Sequence, residues 1–543
     1  MRHRNALLAV IALLCGVAVA RTDESALPGQ VQFVPPGATV RNASIEELLR
    51  QAASLEQEHR WSEALQIYQD AQRAFPDNNE VGQRRVVAQI HFDVNRRCAD
   101  QHFQQAVARG TAAQALATYA DVIHKVQTYY VVTPDWKAIV RMGAADLQVA
   151  LQHPTFLQRN AQGISAERAA QAASHLQSWI ESARVENGQD AYLVTKQLAA
   201  SLQEQLGVSQ VATVYEMIFG LVQALDPYSA YMTDSQYSET MAQIEGNFVG
   251  LGVELKTLPR QLVVVSVIPN GPAYAAGLQS GDLILSADGV NVEQAGSEVV
   301  ADALRGTEGS TCELVVQRDQ QSYRAAVVRR HIEIPSVSEV QLVDSAAGIG
   351  YIKIGSFQRT TTRDFDQAMA RLRQQGMTRL ILDLRGNPGG LLTAGVEIAD
   401  RFIAQGVIVA THGRNPMEDF VHHAHATNTW RIPLVVLIDE NSASASEILA
   451  AAIADHKAGR IIGTRSYGKG SVQGIFPLSV GGGLRLTTAK FYSPSGRAIQ
   501  NAGVAPDVEV TSLAKPAHGA PLNPESDGAL AVAVQSLKST QSR

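Results

Sequence analysis

Short apolar runs and helical periodicities alternate through the second half of the chain. Leu380-Ile381-Leu382-Asp383-Leu384 and Leu434-Val435-Val436-Leu437-Ile438-Asp439 have the length and composition of buried strands. The first ends in the glycine-rich turn Arg385-Gly386-Asn387-Pro388-Gly389-Gly390. Beyond the second, Ile448, Leu449, Ala452 and Ile453 recur at helical spacing in an alanine-rich segment from about Ser444 to Asp455, so a serine cluster sits where strand gives way to helix. A further apolar segment, Arg460 to Gly463, leads to Gly468-Lys469-Gly470, and an extended chain there sets Lys469, Ser471 and Gln473 on one face. Earlier, Leu116, Tyr119, Ile123, Val126 and Tyr130 line one side of a helix as core residues. The pattern predicts a helical N-terminal region followed by a mixed α/β core, with the strands ending at Asp383 and Asp439 in its central sheet.

Composition narrows the partners. A chain of 543 residues favours three or more domains, and a net charge of -6 without basic clusters or a phosphate loop gives no footprint for nucleic acid or nucleotide. Arg2, His3 and Arg4 precede an apolar run from Ala6 to Ala20 ending Ala18-Val19-Ala20, the form of a cleaved secretory signal, with the mature chain starting near Arg21. The run is shorter than the roughly 20 apolar residues that span a bilayer, and Leu14 is too bulky to precede a lipidated Cys15. The expectation is therefore export, periplasmic or extracellular, with membrane association through an uncleaved segment as the alternative. With Cys15 removed, Cys98 and Cys312 fall in different segments, so packed cores and not disulfides must stabilise the fold. His422, His423 and His425 lack a zinc-ligand spacing and read as a solvated loop.

The chemistry concentrates in Ser442-Ala443-Ser444-Ala445-Ser446-Glu447 and Ser466-Tyr467-Gly468-Lys469-Gly470-Ser471-Val472-Gln473. A hydroxyl at a helix start faces unpaired amides and the positive end of the helix dipole, which favours an oxyanion, with the Ala445 N–H as the natural donor. The Gly386–Gly390 turn lets backbone approach the same group. A lysine serves as general base only when neutral, so its pKa must fall from roughly 10.4 towards 7 or 8. Gln473 can orient the amine without adding a charge that would keep it protonated. Spacing does not choose among the three serines. A histidine mechanism using His456 with Asp383 or Asp455 is chemically open, although the Gly-x-Ser-x-Gly elbow is absent.

At these two motifs the chain resembles the carboxyl-terminal processing, or tail-specific, peptidases. The resemblance implies Ser444 as nucleophile, Lys469 as general base, Gln473 as the residue that positions the lysine, and Gly390 beside Ala445 in the oxyanion hole. It implies neither metal nor other cofactor. Leu225-Asp226-Pro227-Tyr228-Ser229-Ala230-Tyr231, Leu486 to Arg497 and Gly503 to Asp507 also resemble the family, which extends the likeness from about Leu116 to Val510, with a departure over 147–205.

Gly250-Leu251-Gly252, Pro272 to Leu278 and Gly281-Asp282-Leu283-Ile284 resemble a PDZ domain, which binds an extended protein tail at a sheet edge and its carboxylate on loop amides. Arg305, in the Arg-Gly turn of that family, is a candidate to sense the carboxylate or to tie the module to the peptidase. Leu48, Ala52, Leu55, Ala64, Tyr68, Ala71 and Pro76, with Trp61 between helices, match one tetratricopeptide repeat, which must pack on later helices or a partner protein. The expected organisation is a signal over 1–20, linker 21–43, tetratricopeptide-like 44–112, helical 113–240, PDZ 241–332, catalytic 333–512 and tail 513–543. The competing reading is a silent scaffold that binds tails.

Overall fold

The computed structural model describes residues 44–539 apart from 76, 162, 259, 260, 269, 334, 428, 511–521 and 523, so the expected signal, linker and Pro76 lie outside the described residues. The chain forms two compact units, one of residues 44–234 with 474–486, the other of 235–473 with 487–539.

The first unit is helical, and most of its helices begin at a side chain that caps them. Ser44, Asn78, Asp100, Thr111, Asp135, Ser165, Asn187 and Ser209 each accept a first-turn N–H. Helices Ile45–Gln57 and Trp61–Ala74 form the expected pair and bury Leu48, Ala52, Ala64, Tyr68 and Ala71. Trp61 does not lie between them. It opens the second helix and stacks on His91 of the next, Asn79–Ala99, with ring centroids 3.8 Å apart. The region 147–205 is core: Leu147, Leu151, Phe156, Ala173, Leu176 and Ile180 are all buried in the main helical cluster. Helices Trp136–Ala150 and Gln210–Leu225 cross at Gly143 and Gly220, where a Cβ on Gly220 would stand 2.4 Å from the Gly143 Cα. Only hydrogen at both positions permits that approach.

In the second unit, strands Val337–Asp344, Ile349–Ile354, Arg379–Asp383, Leu434–Ile438, Arg460–Gly463 and Val508–Glu509 form one sheet in that order, the first pair antiparallel and the rest parallel. Continuous apolar runs are explained by burial on both faces. Leu380, Leu382, Leu434, Val436 and Ile438 pack in the same cluster as Ala445–Asp455 residues such as Ile448 and Leu449, while Ile381, Val435 and Leu437 turn the other way. That second face is covered by helix Gly528–Ser539 through Ala529, Leu530, Ala533 and Leu537. The segment expected as a tail therefore supplies part of the core.

The inserted module is a sheet of strands Val253–Leu258, Gln261–Val267, Leu283–Ala287, Thr311–Arg318 and Gln321–Val328, with the short Val290–Asn291 paired to Leu283–Ala287, and helices Pro272–Ala275, Val292–Ala295 and Ser297–Ala303. Its ends meet in a two-stranded ribbon, Asn247–Gly250 against Arg330–Glu333.

Candidate active site

Arg379–Asp383 and Leu434–Ile438 are neighbouring parallel strands, so the loops leaving their carboxyl ends emerge side by side. Hydrogen bonds lock the two loops together. The Gly386 N–H donates to Asp439 Oδ1 at 2.9 Å, the Ala443 N–H to the Asn387 carbonyl at 3.0 Å, and Ser446 Oγ to that same carbonyl at 2.9 Å. Ser442 Oγ donates to the Leu384 carbonyl at 2.8 Å. Ser442 and Ser446 are fully buried with their hydroxyls engaged in this lock.

Ser444 differs from both. It is half-exposed at the start of helix Ala445–Asp455 and adopts φ 57°, ψ −113°, a left-handed backbone that a non-glycine residue rarely holds. The N–H groups of Ala445 and of Gly390 have no hydrogen-bond acceptor among the described residues. The Gly389 N–H is given to Asn387 Oδ1 at 2.9 Å, whereas that of Gly390 is not engaged among the described residues.

Gly389 is instead the seat of the serine turn. A Cβ there would lie 2.7 Å from both the Ala443 carbonyl oxygen and the Ser444 Cβ, at φ 104°. Gly389→Ala is expected to cost about 3 kcal/mol in stability and to remove activity, because clash and backbone strain fall on one residue. Denaturant unfolding beside a peptidase assay checks it.

Glu447 carries a task that the sequence reading did not assign. Its buried carboxylate accepts the N–H groups of Ser444 (2.8 Å), Gly468 (2.7 Å) and Lys469 (2.9 Å) and the Ser466 hydroxyl (2.6 Å). Burial pushes its pKa above the usual carboxylate value, opposed by those four donors. Because one oxygen, Oε2, takes both the Ser444 and Lys469 amides, their nitrogens stand within about 6 Å of each other. The only sequence signal was an acid in the first turn of a helix.

Lys469 is half-buried and lies in a loop ahead of strand Ser471–Pro477, not on it. Gly470 on one side donates to Gln500 Oε1 at 3.0 Å, and the Asn501 N–H donates to the Gly468 carbonyl at 2.8 Å. Gln473 is on the strand and its Nε2 donates to Thr487 Oγ1 at 2.9 Å and Ser471 Oγ at 3.3 Å. Its Oε1 is buried without a partner among the described residues, an acceptor open to an amine.

The histidine alternative is not assembled. His456 caps the far end of the Ala445–Asp455 helix, about 18 Å along it from Ser444, and its Nε2 lies 2.7 Å from the Val407 carbonyl. Asp383 is occupied by Arg385 and Tyr351, and Asp455 by Arg497 and Ser495. His422 and His423 are in strand Phe420–His423 and not in a loop, and His425 contacts Asp400. No group of three or more His, Cys, Asp or Glu among the described residues is arranged to hold a metal.

In the inserted module Gly250 ends the ribbon opposite Arg330. The carbonyls of Leu251 and Gly252 accept the N–H groups of Ala273 (2.7 Å) and Ile268 (2.9 Å), whereas their own N–H groups have no acceptor among the described residues. Such a pair of amides suits a carboxylate. Arg305 forms ion pairs with Glu239 (3.5 Å) and Asp302 (3.3 Å), so it joins the module to helix Asp234–Glu245.

Comparison with known proteins agrees with this architecture. Peptidase family S41 matches residues 348–510 and the PDZ domain matches residues 263–318. The carboxy-terminal-processing protease of Bartonella bacilliformis is 37% identical over 300 residues, covering 54% of this chain and 68% of that protein. The carboxyl-terminal-processing protease of Picosynechococcus sp. is 34% identical over 298 residues, covering 54% and 72%. Among solved structures, the photosystem II D1 C-terminal processing protease aligns at 28% identity over 62% of this chain and 89% of that one, with a TM-score of 0.40. With a parallel-sheet core, a PDZ domain and this extent of identity, the chain belongs to the carboxyl-terminal-processing serine proteases of peptidase family S41.

Proposed function

We propose that this serine peptidase is exported, captures protein C-terminal tails on its PDZ domain and hydrolyses them by a Ser444–Lys469 mechanism. The observation that carries the reading is the difference among the three serines: only Ser444 is half-exposed, on a strained turn beside the unpaired amides of Gly390 and Ala445. The neutral Lys469 amine takes the proton as Ser444 Oγ attacks the scissile carbonyl carbon, and the oxyanion forms against the Gly390 and Ala445 N–H groups. Lysine then gives its proton to the leaving amide nitrogen, and water repeats the sequence on the acyl-serine. Gln473 Oε1 accepts from the amine and aims it.

Leu251 and Gly252 amides hold the tail carboxylate, and Arg305 fixes the PDZ domain on the peptidase part. The basic, apolar N-terminus supports export, and the Ile45–Ala74 helix pair supports a tetratricopeptide-like contact with a partner protein.

The test compares an unfolded substrate ending in apolar residues with its C-terminally amidated copy. Loss of a charge-assisted contact is expected to raise KM about 30-fold with kcat little changed. Equal KM for both forms contradicts carboxylate capture. Tight binding of the free tail without cleavage favours the scaffold reading.

A further inference from the structure

The root of the oxyanion loop is held by the far end of the chain. Arg385 is the residue from which Gly386–Gly390 departs, and two carboxylates grip its guanidinium. Asp383 takes Nε at 2.9 Å and Nη2 at 2.5 Å on Oδ2, while Asp527 receives Nη1 on Oδ1 at 2.9 Å and Nη2 on Oδ2 at 2.8 Å. Asp527 is 1% exposed, and it also starts the helix Gly528–Ser539, its Oδ1 accepting the Leu530 N–H at 3.1 Å and its carbonyl the Ala531 N–H at 2.9 Å. One buried carboxylate thus joins the C-terminal helix to the loop that carries Gly389 and Gly390.

A bidentate fork fixes the plane of a guanidinium, not only its distance. Asp383 ends the strand two residues before Arg385, so its own fork holds the guanidinium to that strand and cannot tie it to the layer that covers the sheet. Asp527 can, because its helix is seated on Ile349, Tyr351, Ile381, Val435, Leu437 and Ile462. Oxyanion donors tolerate misplacement of only about half an ångström before catalysis suffers.

We propose that Asp527 is a positioning residue, through which the C-terminal helix holds Arg385 and so keeps the Gly390 N–H aligned with that of Ala445. The inference rests on the Ser444 reading above. Tail capture occurs on the PDZ domain, so loss of Asp527 acts on turnover and leaves KM alone.

The test measures kcat and KM on a fluorogenic peptide with a free apolar C-terminus for the full-length wild type, Asp527→Asn, Leu537→Ala and Ser444→Ala, with Tm for each. Asp527→Asn is expected to lower kcat about 30-fold with KM within about twofold. Leu537→Ala, which loosens the same helix without touching Arg385, is expected to lower Tm at least as much and leave kcat within about twofold. If Asp527→Asn does not fold, Asp527→Glu keeps the charge at a displaced position and is expected to lose about 10-fold in kcat. Unchanged kcat in the Asp527 variant, or equal kcat loss in Leu537→Ala, overturns the proposal. If Ser444→Ala still cleaves, the nucleophile assignment and this inference fall together. If Ser444→Ala is inactive and the Asp527 variant turns over normally, the inference alone falls.

Discussion

Lys469→Ala is expected to lower kcat/KM on a tail-bearing substrate by about 10⁴-fold with no loss of folding, the full range of a positioned general base. Ser444→Ala removes the bond-forming atom and is expected to lower it by about 10⁶-fold. The double variant should be no worse than Ser444→Ala, because groups that act as one unit do not contribute additively. Lys469→Arg is not expected to recover activity, since a guanidinium keeps its proton throughout the working range. His456→Ala should retain activity, with its ring committed to the Val407 carbonyl at the other end of the helix. Steady-state kinetics on the five proteins checks the set, and cleavage that survives Lys469→Ala but not His456→Ala reverses the assignment.

The second large effect is expected at Glu447. Glu447→Gln preserves shape yet replaces one acceptor oxygen by an NH₂ that faces N–H donors. The carboxylate receives three amides and a hydroxyl in a buried site, so at least one donor is left unpaired at a cost of about 1–3 kcal/mol, with donor–donor repulsion beside it. A total near 3 kcal/mol lowers Tm by about 6–12 °C for units of this size. Activity should fall by about 10²-fold even below the melting range, because the clasp that links the Ser444 turn to the Ser466–Lys469 loop loses one of its two acceptor oxygens. Calorimetry with kinetics at 20 °C separates the two losses. A variant that is destabilised but turns over normally would show that Glu447 stiffens the fold without aligning the pair.

Much of the core was legible in the sequence because its signal is local. Leu434–Ile438 and Leu380–Leu382 read as buried strands since every side chain is apolar, and both faces of the sheet turn out to be covered. The serine turn was legible as a strand–helix junction, and the loop over Gly386–Gly390 as a glycine turn after a strand. What escaped the reading depends on distant partners. Lys469 does not continue the strand of Ser471 and Gln473, because Gly468 takes φ 90° and Gly470 packs against Gln500, which bends the chain just before the strand. Glu447 looks like an ordinary first-turn acid until the Ser466–Lys469 loop folds over it. Residues 528–539 carry an apolar stripe, yet nothing local in it names the sheet face that it covers or the pairing of Asp527 with Arg385, 142 positions away in sequence. Trp61 fits a helix-pair pattern, but its ring is claimed by His91 of the third helix.

The central claim is that the amine at position 469 must shed its proton before Ser444 can attack. Replacing Lys469 by cysteine and aminoethylating the thiol rebuilds the side chain with sulfur in place of one methylene, which makes the amine less basic while keeping its length. The pH dependence of kcat/KM is the measurement. Activity rises with pH as the base deprotonates, so the acid limb is expected to move to lower pH in the aminoethylated enzyme. An acid limb that stays where the wild type has it, in an enzyme whose activity has been restored, would contradict the lysine base.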